Sequence, residues 1–277
     1  MQQIWLITNP GSGSTSDAHC DAIEAIMHER GLALVGRTLF PVEALPDAAA
    51  LAAAGVDTVV LFAGDGTINA AACALDRFEG TALILPGGTM NMLARVLHGD
   101  ADAATIIAAA HEQERTRRLP LVEAGPHRAF VAAIIGPAAQ WGSAREAARH
   151  GRLRRMVAAA RLAWQRSFSR RRRVRVLGTE RLGGAHQALI AVPGDAEHFE
   201  AAAITATRLL SLLRLGAAWL TDDWRHDPAV SRADVTALRL AARRTIPALF
   251  DGEPVNLPRN AEVRAGESRL RFITVRA

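Results

Sequence analysis

A carboxylate sits between two glycines at Gly64-Asp65-Gly66, with a hydroxyl next at Thr67 and an amide at Asn69. Two other segments have the same make-up: Asn9-Pro10-Gly11-Ser12-Gly13-Ser14 and Pro86-Gly87-Gly88-Thr89-Met90-Asn91. Glycine lets backbone N–H groups face a phosphate with no side chain in the way, and a helix that follows adds its N-terminal dipole. Ser14, Thr67 and Thr89 add hydroxyl donors, and Asn9, Asn69 and Asn91 add amides. Together these residues read as a cradle for nucleotide phosphates. Asp65 would repel phosphate unless a Mg²⁺ ion lies between them or the carboxylate takes up a proton. One such loop alone reads as a strand-to-helix turn; three in register carry the phosphate reading. They match neither the dinucleotide fingerprint nor the phosphate loop ending in Gly-Lys-Ser/Thr.

Each loop follows an apolar run that reads as a buried strand: Gln3–Thr8, Val56–Ala63 and Thr81–Pro86. A further strand is expected at Leu32–Phe40. Helices are expected at Asp17–Arg30, Leu45–Ala54, about Asn69–Leu75, and after the Pro86 loop. Strands apolar on both faces, alternating with helices, specify a doubly wound parallel sheet. Its C-terminal strand ends share one edge, so the three loops converge on one crevice. Beyond Leu119 the pattern changes. The segments RAFVAAIIG, RRVRVLG, HQALIAVP, EAAAITAT, DVTALRLAA, IPALFDGEPV and RLRFITVRA follow one another, several with period-two alternation. This predicts a second, antiparallel β-rich sandwich domain, interrupted by helical segments at Ser143–Arg166 and Thr207–Leu220. The expected division is 1–120 for the nucleotide domain and 121–277 for the β-rich domain, with the last strand able to pack back toward the first.

The 277 residues are 49% hydrophobic but only 5% aromatic with no Tyr, so the core is aliphatic. The net charge is +5 and every basic Lys/Arg position is Arg, which reads either as the mark of a GC-rich genome or as an affinity for an anionic surface, nucleic acid or membrane lipid. Cys20 and Cys73 suggest no disulfide framework or metal site. The N-terminal stretch lacks a signal-peptide pattern, and no apolar run approaches the ~18 residues of a membrane span. A cytoplasmic protein is expected.

The motifs resemble those of the diacylglycerol kinase catalytic-domain family of lipid kinases. The matching residues are Asn9-Pro10…Ser12-Gly13, Gly64-Asp65-Gly66-Thr67-Ile68-Asn69 and Leu85-Pro86-Gly87-Gly88-Thr89-Met90-Asn91…Leu93-Ala94-Arg95, with a late Asp251-Gly252-Glu253-Pro254. The resemblance implies a nucleotide domain similar to those of NAD kinases and phosphofructokinases, a β-rich lipid domain, and ATP in the cleft between them. By the same resemblance Asn9, Gly64, Asp65, Gly66, Thr67, Asn69, Gly88 and Thr89 line the ATP site. Thr38 stands where the family often has a nucleotide-contacting hydroxyl, Asp65 organises Mg²⁺-ATP, and Glu253 matches the proposed general base. Read without the family, Asp251-Gly252 is a hairpin turn. There are departures. Ala63 replaces the first glycine of the usual Gly-Gly-Asp-Gly-Thr, Met92 stands where many members have Asp, and Pro120 falls where an Asp commonly follows. The Leu-Asp-Asp-Gly segment that holds a structural Mg²⁺ in some members is not evident; the nearest acids are Asp195, Glu197 and Glu200.

Arginines are dense from Arg145 to Arg175, and Arg152–Arg166 is amphipathic with Trp164 on its apolar face. A basic amphipathic helix of this kind reads either as a contact with an anionic membrane surface or as a solvated helix packed on its own domain. No nucleic-acid partner is expected, since few aromatics are available for stacking. The segment Arg208–Leu220 is more apolar and reads as a core helix, or as an entry for an acyl chain. An edge strand of the second domain offers a route to a homodimer. The expected activity is transfer of the ATP γ-phosphate to a lipid hydroxyl such as that of diacylglycerol, at the inner face of the membrane. The alternatives are a kinase of a non-lipid substrate such as NAD, and a nucleotide-binding lipid sensor without turnover.

Overall fold

The structure, a computed structural model, describes residues 1–12, 15–140, 173–205, 228 and 230–276. The helical segments expected at Ser143–Arg166 and Thr207–Leu220 lie outside the described residues, as do Gly13, Ser14 and the basic run up to residue 172. The chain divides into two compact units, Met1–Leu119 with Glu267–Ala277, and Pro120–Gly266.

The first unit runs β1 (Gln3–Thr8), α1 (Asp17–Glu29), β2 (Ala33–Leu39), α2 (Ala48–Ala53), β3 (Thr58–Ala63), α3 (Asp65–Ala74), β4 (Thr81–Pro86), α4 (Met92–His98), α5 (Ala103–Glu112) and β5 (Arg115–Arg117). The second runs β6 (Pro120–Ala124), β7 (His127–Ala129), β8 (Ala133–Ile135), β9 (Val174–Leu177), β10 (Gly184–His186), β11 (Ala188–Pro193), β12 (Phe199–Ile204), β13 (Val230–Val235), β14 (Ala237–Ala241), β15 (Ile246–Phe250), β16 (Glu253–Leu257) and β17 (Asn260–Glu267). The chain then returns to the first unit as β18 (Arg271–Thr274).

The first unit is built on a six-stranded sheet in the order β2-β1-β3-β4-β18-β5. All neighbours are parallel except β18 and β5. Every residue of β3 is buried, as a strand covered on both faces must be. One layer packs Ile4, Leu6, Val60, Phe62, Leu83 and Leu85 against α1 and α5. The helices start where their caps place them. Ser16 accepts from the His19 N–H, Asp47 from Ala50 and Asp102 from Thr105. Two expectations are corrected here. Helix α2 begins at Ala48, not Leu45, because Asp47 is its cap. Helix α3 begins at Asp65, four residues before Asn69, with Gly64 as its cap. Asp65-Gly66-Thr67 is therefore the first turn of a helix, not a loop. Helix α5 and strand β5 had no counterpart in the sequence reading; α5 carries Ile106, Ile107 and Ala110 into the core.

Helix α4 ends on a buried histidine. His98 is 4% exposed, with no hydrogen bond of good geometry at either ring nitrogen. Desolvation pushes its pKa down to about 4, opposed by the Ile84 backbone and reinforced by the charge of Arg117. The unfolded chain takes up this proton near pH 6.5 and the folded chain does not, so stability is complete above that value and is lost as pH falls toward 4. The expected loss is about 3 kcal/mol. Urea midpoints measured between pH 7.5 and 4.5 should show it, and His98→Gln should flatten that part of the profile. An unchanged slope in the variant assigns the acid sensitivity to other groups.

The second unit is a sandwich of two six-stranded sheets, β10-β9-β14-β17-β6-β7 and β13-β12-β11-β8-β15-β16. Alternate residues of both sheets meet in one core, Val122, Val176, Leu238, Leu240 and Val263 from the first against Ile135, Leu189, Phe199, Ala248 and Phe250 from the second. The expected strand RAFVAAIIG is broken into β7 and β8. The N–H groups of Phe130, Val131 and Ala132 between them are taken by the carboxylate of Asp251, at 2.7, 2.9 and 3.0 Å.

Candidate functional site

The ends of β1, β3 and β4 lie at one edge of the parallel sheet, Thr8 beside Phe62 and Ala63 beside Pro86. The loops that leave them touch. A Cβ on Gly88 would stand 2.8 Å from the Gly64 Cα, and one on Gly64 would reach Ser12 at 3.4 Å. The side chains complete the join. Asn9 donates from Nδ2 to Thr67 Oγ1 at 2.8 Å and accepts the Gly11 N–H at Oδ1, also at 2.8 Å. Ser12 donates to the Asn9 carbonyl at 2.6 Å, and Thr15 donates to the same oxygen.

The glycines divide by what requires them. A Cβ on Gly87 would fall 2.6 Å from the Ala63 nitrogen, so Gly87 and Gly88 are fixed by the approach of two backbones. Gly64 differs. Its φ is −77°, open to any residue, and its nearest would-be neighbours lie at ordinary contact distance. Neither conformation nor protein packing demands glycine there. A methyl would instead stand at the mouth of α3, where backbone N–H groups point outward. Ala63 is completely buried and is not among the residues with positive φ, so its methyl is accommodated without strain.

Asp65 bridges the second and third loops. Its Oδ1 accepts the Met92 N–H at 2.7 Å, at the start of α4. That helix needs an outside partner because its own cap is occupied: Asn91 is in the left-handed region at φ 50° and spends its side-chain oxygen on the Gly88 N–H at 2.7 Å. A left-handed Asn is tolerated where most residues are not. The carboxylate thus caps α4 from a different helix while lying in the first turn of α3, a position favoured for a negative charge. Its second oxygen remains for a cation. A carboxylate acceptor beside N–H donors suited to phosphate oxygens is a set that could hold a Mg²⁺-nucleotide.

The other expected residues are distributed as follows. Asn69 is half-buried in α3 and accepts a long S–H contact from Cys73 at 3.8 Å. Thr89 is exposed beyond Gly88. Thr38 is 3% exposed in β2, and its Oγ1 accepts the Trp5 indole N–H at 2.9 Å, which leaves the hydroxyl hydrogen as the donor. The Trp5 ring lies where a Cβ of Gly36 would be, 2.3 Å from the ring atoms.

Glu253 belongs to the second unit. Strands β15 and β16 pair Phe250 with Glu253, so Asp251-Gly252 is a two-residue turn with φ of 48° and 90°. These values fit the turn type for which Asp-Gly is preferred. Glu253 is exposed on the first residue of β16. Asp251 is 5% exposed and, besides the bonds to Phe130, Val131 and Ala132, donates its own N–H to the Ala132 carbonyl at 3.0 Å. The sequence reading missed this clamp. The available signal was the Asp-Gly pair, which marks the turn but not the partner. The acids near the missing Leu-Asp-Asp-Gly segment serve local ends: Asp195 accepts the Glu197 and His198 N–H groups at 2.8 and 2.7 Å, and Glu200 faces Arg232 at 3.8 Å. Among the described residues no group of three or more His, Cys, Asp or Glu side chains could hold a metal ion, and no helix is long and apolar enough to cross a membrane.

The model of the diacylglycerol kinase catalytic domain matches residues 3–124 of the chain. No curated protein matches the chain. Among solved structures, a diacylglycerol kinase from Bacillus anthracis str. Sterne has a TM-score of 0.66 at 13% identity, covering 99% of this chain and 97% of its own. Another from the same organism, presented as a candidate diacylglycerol kinase, has a TM-score of 0.68 at 16% identity over the same shares. At these identities the likeness establishes the fold: a parallel-sheet α/β domain joined to antiparallel β sheets.

Proposed function

We propose that the protein transfers the γ-phosphoryl group of ATP to the hydroxyl of a lipid such as diacylglycerol. The observation that carries this is Gly64, a glycine that the protein's own packing does not require, at the N-terminus of α3 and between two other glycine loops. The N–H groups of the α3 first turn suit phosphate oxygens. Asn9 and Thr67 hold the first and second loops together, Asn69 and Thr89 add polar contacts, and the buried Thr38 keeps one hydroxyl hydrogen beside its bond to Trp5. Mg²⁺ would be held through the Asp65 oxygen that Met92 does not use, and when bound it neutralises charge on the phosphate oxygens. Glu253 takes the proton of the lipid hydroxyl as that oxygen forms its bond to the γ-phosphorus and the bond to the ADP oxygen breaks. The lipid acceptor brings the enzyme to the membrane as a peripheral protein.

A second reading is a nucleotide-binding lipid sensor without turnover. It is favoured by the lack of the Leu-Asp-Asp-Gly segment and by Asp195 being committed to its own turn. Incubation with labelled ATP, Mg²⁺, mixed micelles of diacylglycerol, ceramide, sphingosine or phosphatidylglycerol, and added NAD separates the two. Label is expected in one lipid of the panel. Label in NAD instead moves the activity to a soluble acceptor, and nucleotide binding with no labelled product supports the sensor.

A further inference from the structure

Strands β9 and β14 are neighbours in the sandwich, and their alternate residues Val174, Val176, Leu238 and Leu240 are buried in its core. The residues between them face out. Arg175 lies opposite Ala241, and Leu177 opposite Arg239. The turn after β14 adds Arg243 and Arg244, and the Ala242 N–H bond to the Arg259 carbonyl, at 2.7 Å, brings Arg259 alongside. All five arginines are exposed. The acid that register places across from Arg239 is Glu262, and Arg264 holds it at 2.8 Å and keeps its carboxyl below the usual range. None of Arg175, Arg239, Arg243, Arg244 or Arg259 forms an ion pair among the described residues. Like charges on neighbouring strands repel, so this concentration costs stability unless an outside anion meets it.

We propose that this face of the β9–β14–β17 sheet docks the protein on an anionic lipid bilayer. The choice of occupant rests on the lipid-kinase reading and on two features of the face itself. Leu177 is 44% exposed among the arginines, suited to the boundary between headgroups and acyl chains. No aromatic residue stands among Arg175, Leu177, Arg239, Ala241 and Glu262 to stack a nucleic-acid base.

The test is co-sedimentation with large unilamellar vesicles of phosphatidylcholine, alone or with phosphatidylglycerol, without ATP. Binding to the anionic vesicles should fall about 5-fold for each of Arg175→Gln, Arg239→Gln and Arg243→Gln, and about 100-fold for the triple variant. A control triple, Arg77→Gln, Arg115→Gln and Arg269→Gln, removes the same charge from exposed positions of the first unit and should bind as the wild type does. Both triples should melt within about 2 °C of the parent, since all six side chains are exposed. Equal loss in the two triples, no loss in the first, equal wild-type binding to neutral vesicles, or tighter binding to single-stranded RNA would each overturn the proposal. Because no turnover is measured, loss of the kinase reading would show in the labelled-lipid assay and leave this result standing.

Discussion

Asp65→Asn should leave the fold intact and lower kcat about 10³-fold. The side chain has two separable tasks. One oxygen caps α4 through the Met92 N–H at 2.7 Å, and an Asn side-chain oxygen can do the same. The other task needs the negative charge, which the amide lacks; a lost electrostatic contact of this kind costs about 10²–10³ in rate, and a misplaced cation adds to it. Asp65→Ala removes both. The Met92 N–H then loses its partner at a helix start whose own Asn91 side chain is already used, for about 1–2 kcal/mol of stability. The melting temperature separates the variants: unchanged in Asn, lowered by several degrees in Ala, with kcat low in both. An Asn variant keeping more than a tenth of parental kcat would show that the cap is the whole of Asp65's contribution. The same contact bears on Met92. What Asp65 uses at position 92 is the backbone N–H, so the absence of a carboxylate side chain there leaves the join between the two loops intact.

The parts of this site that the sequence displays are those in which a residue's type is dictated by its own backbone. The apolar runs of β1 and β4 end at the residues expected, Thr8 and Pro86. The three glycine loops lie at one sheet edge because parallel strands all point the same way. Helix α3 starts earlier than its sequence suggests for a local reason: Gly-Asp-Gly-Thr has the composition of a loop, yet glycine also serves as a helix cap and an acid suits the first turn. Other features depend on partners far away in the chain. Nothing near Phe130 tells that its N–H is satisfied by a carboxylate at position 251, so an unbroken strand was expected there. Strand β17 pairs with β14 through alternating but largely polar residues, a weak pattern without its partner. Gly87 looked like a phosphate-binding glycine by type, and packing against Ala63 supplies a reason that only the folded chain contains.

The same distinction, between a carboxylate that shapes and one that reacts, divides Asp251 from Glu253, two residues apart on one hairpin. Glu253→Gln should fold as the parent does and lose about 10²–10⁴ in kcat, because an exposed side chain at the head of β16 carries no packing, while the amide cannot accept the hydroxyl proton. Asp251→Ala should fail the other way. It uncovers the N–H groups of Phe130, Val131 and Ala132 in a site only 5% exposed, and it forces alanine into a φ of 48°. Two or more lost charge-assisted bonds plus the backbone penalty add to about 3–5 kcal/mol, enough to lower the melting temperature by 10 °C or more. Asp251→Asn keeps the favourable turn conformation but turns an NH₂ toward at least one backbone donor, so it should fall between. The informative measurement is activity per folded molecule, with folded fraction taken from a denaturation curve at the assay temperature. On that scale the Asp251 variants should recover most of their kcat at low temperature and Glu253→Gln should recover none. An Asp251→Asn protein that is fully folded yet inactive would move the proton-accepting role to Asp251 and leave Glu253 as its neighbour on the hairpin.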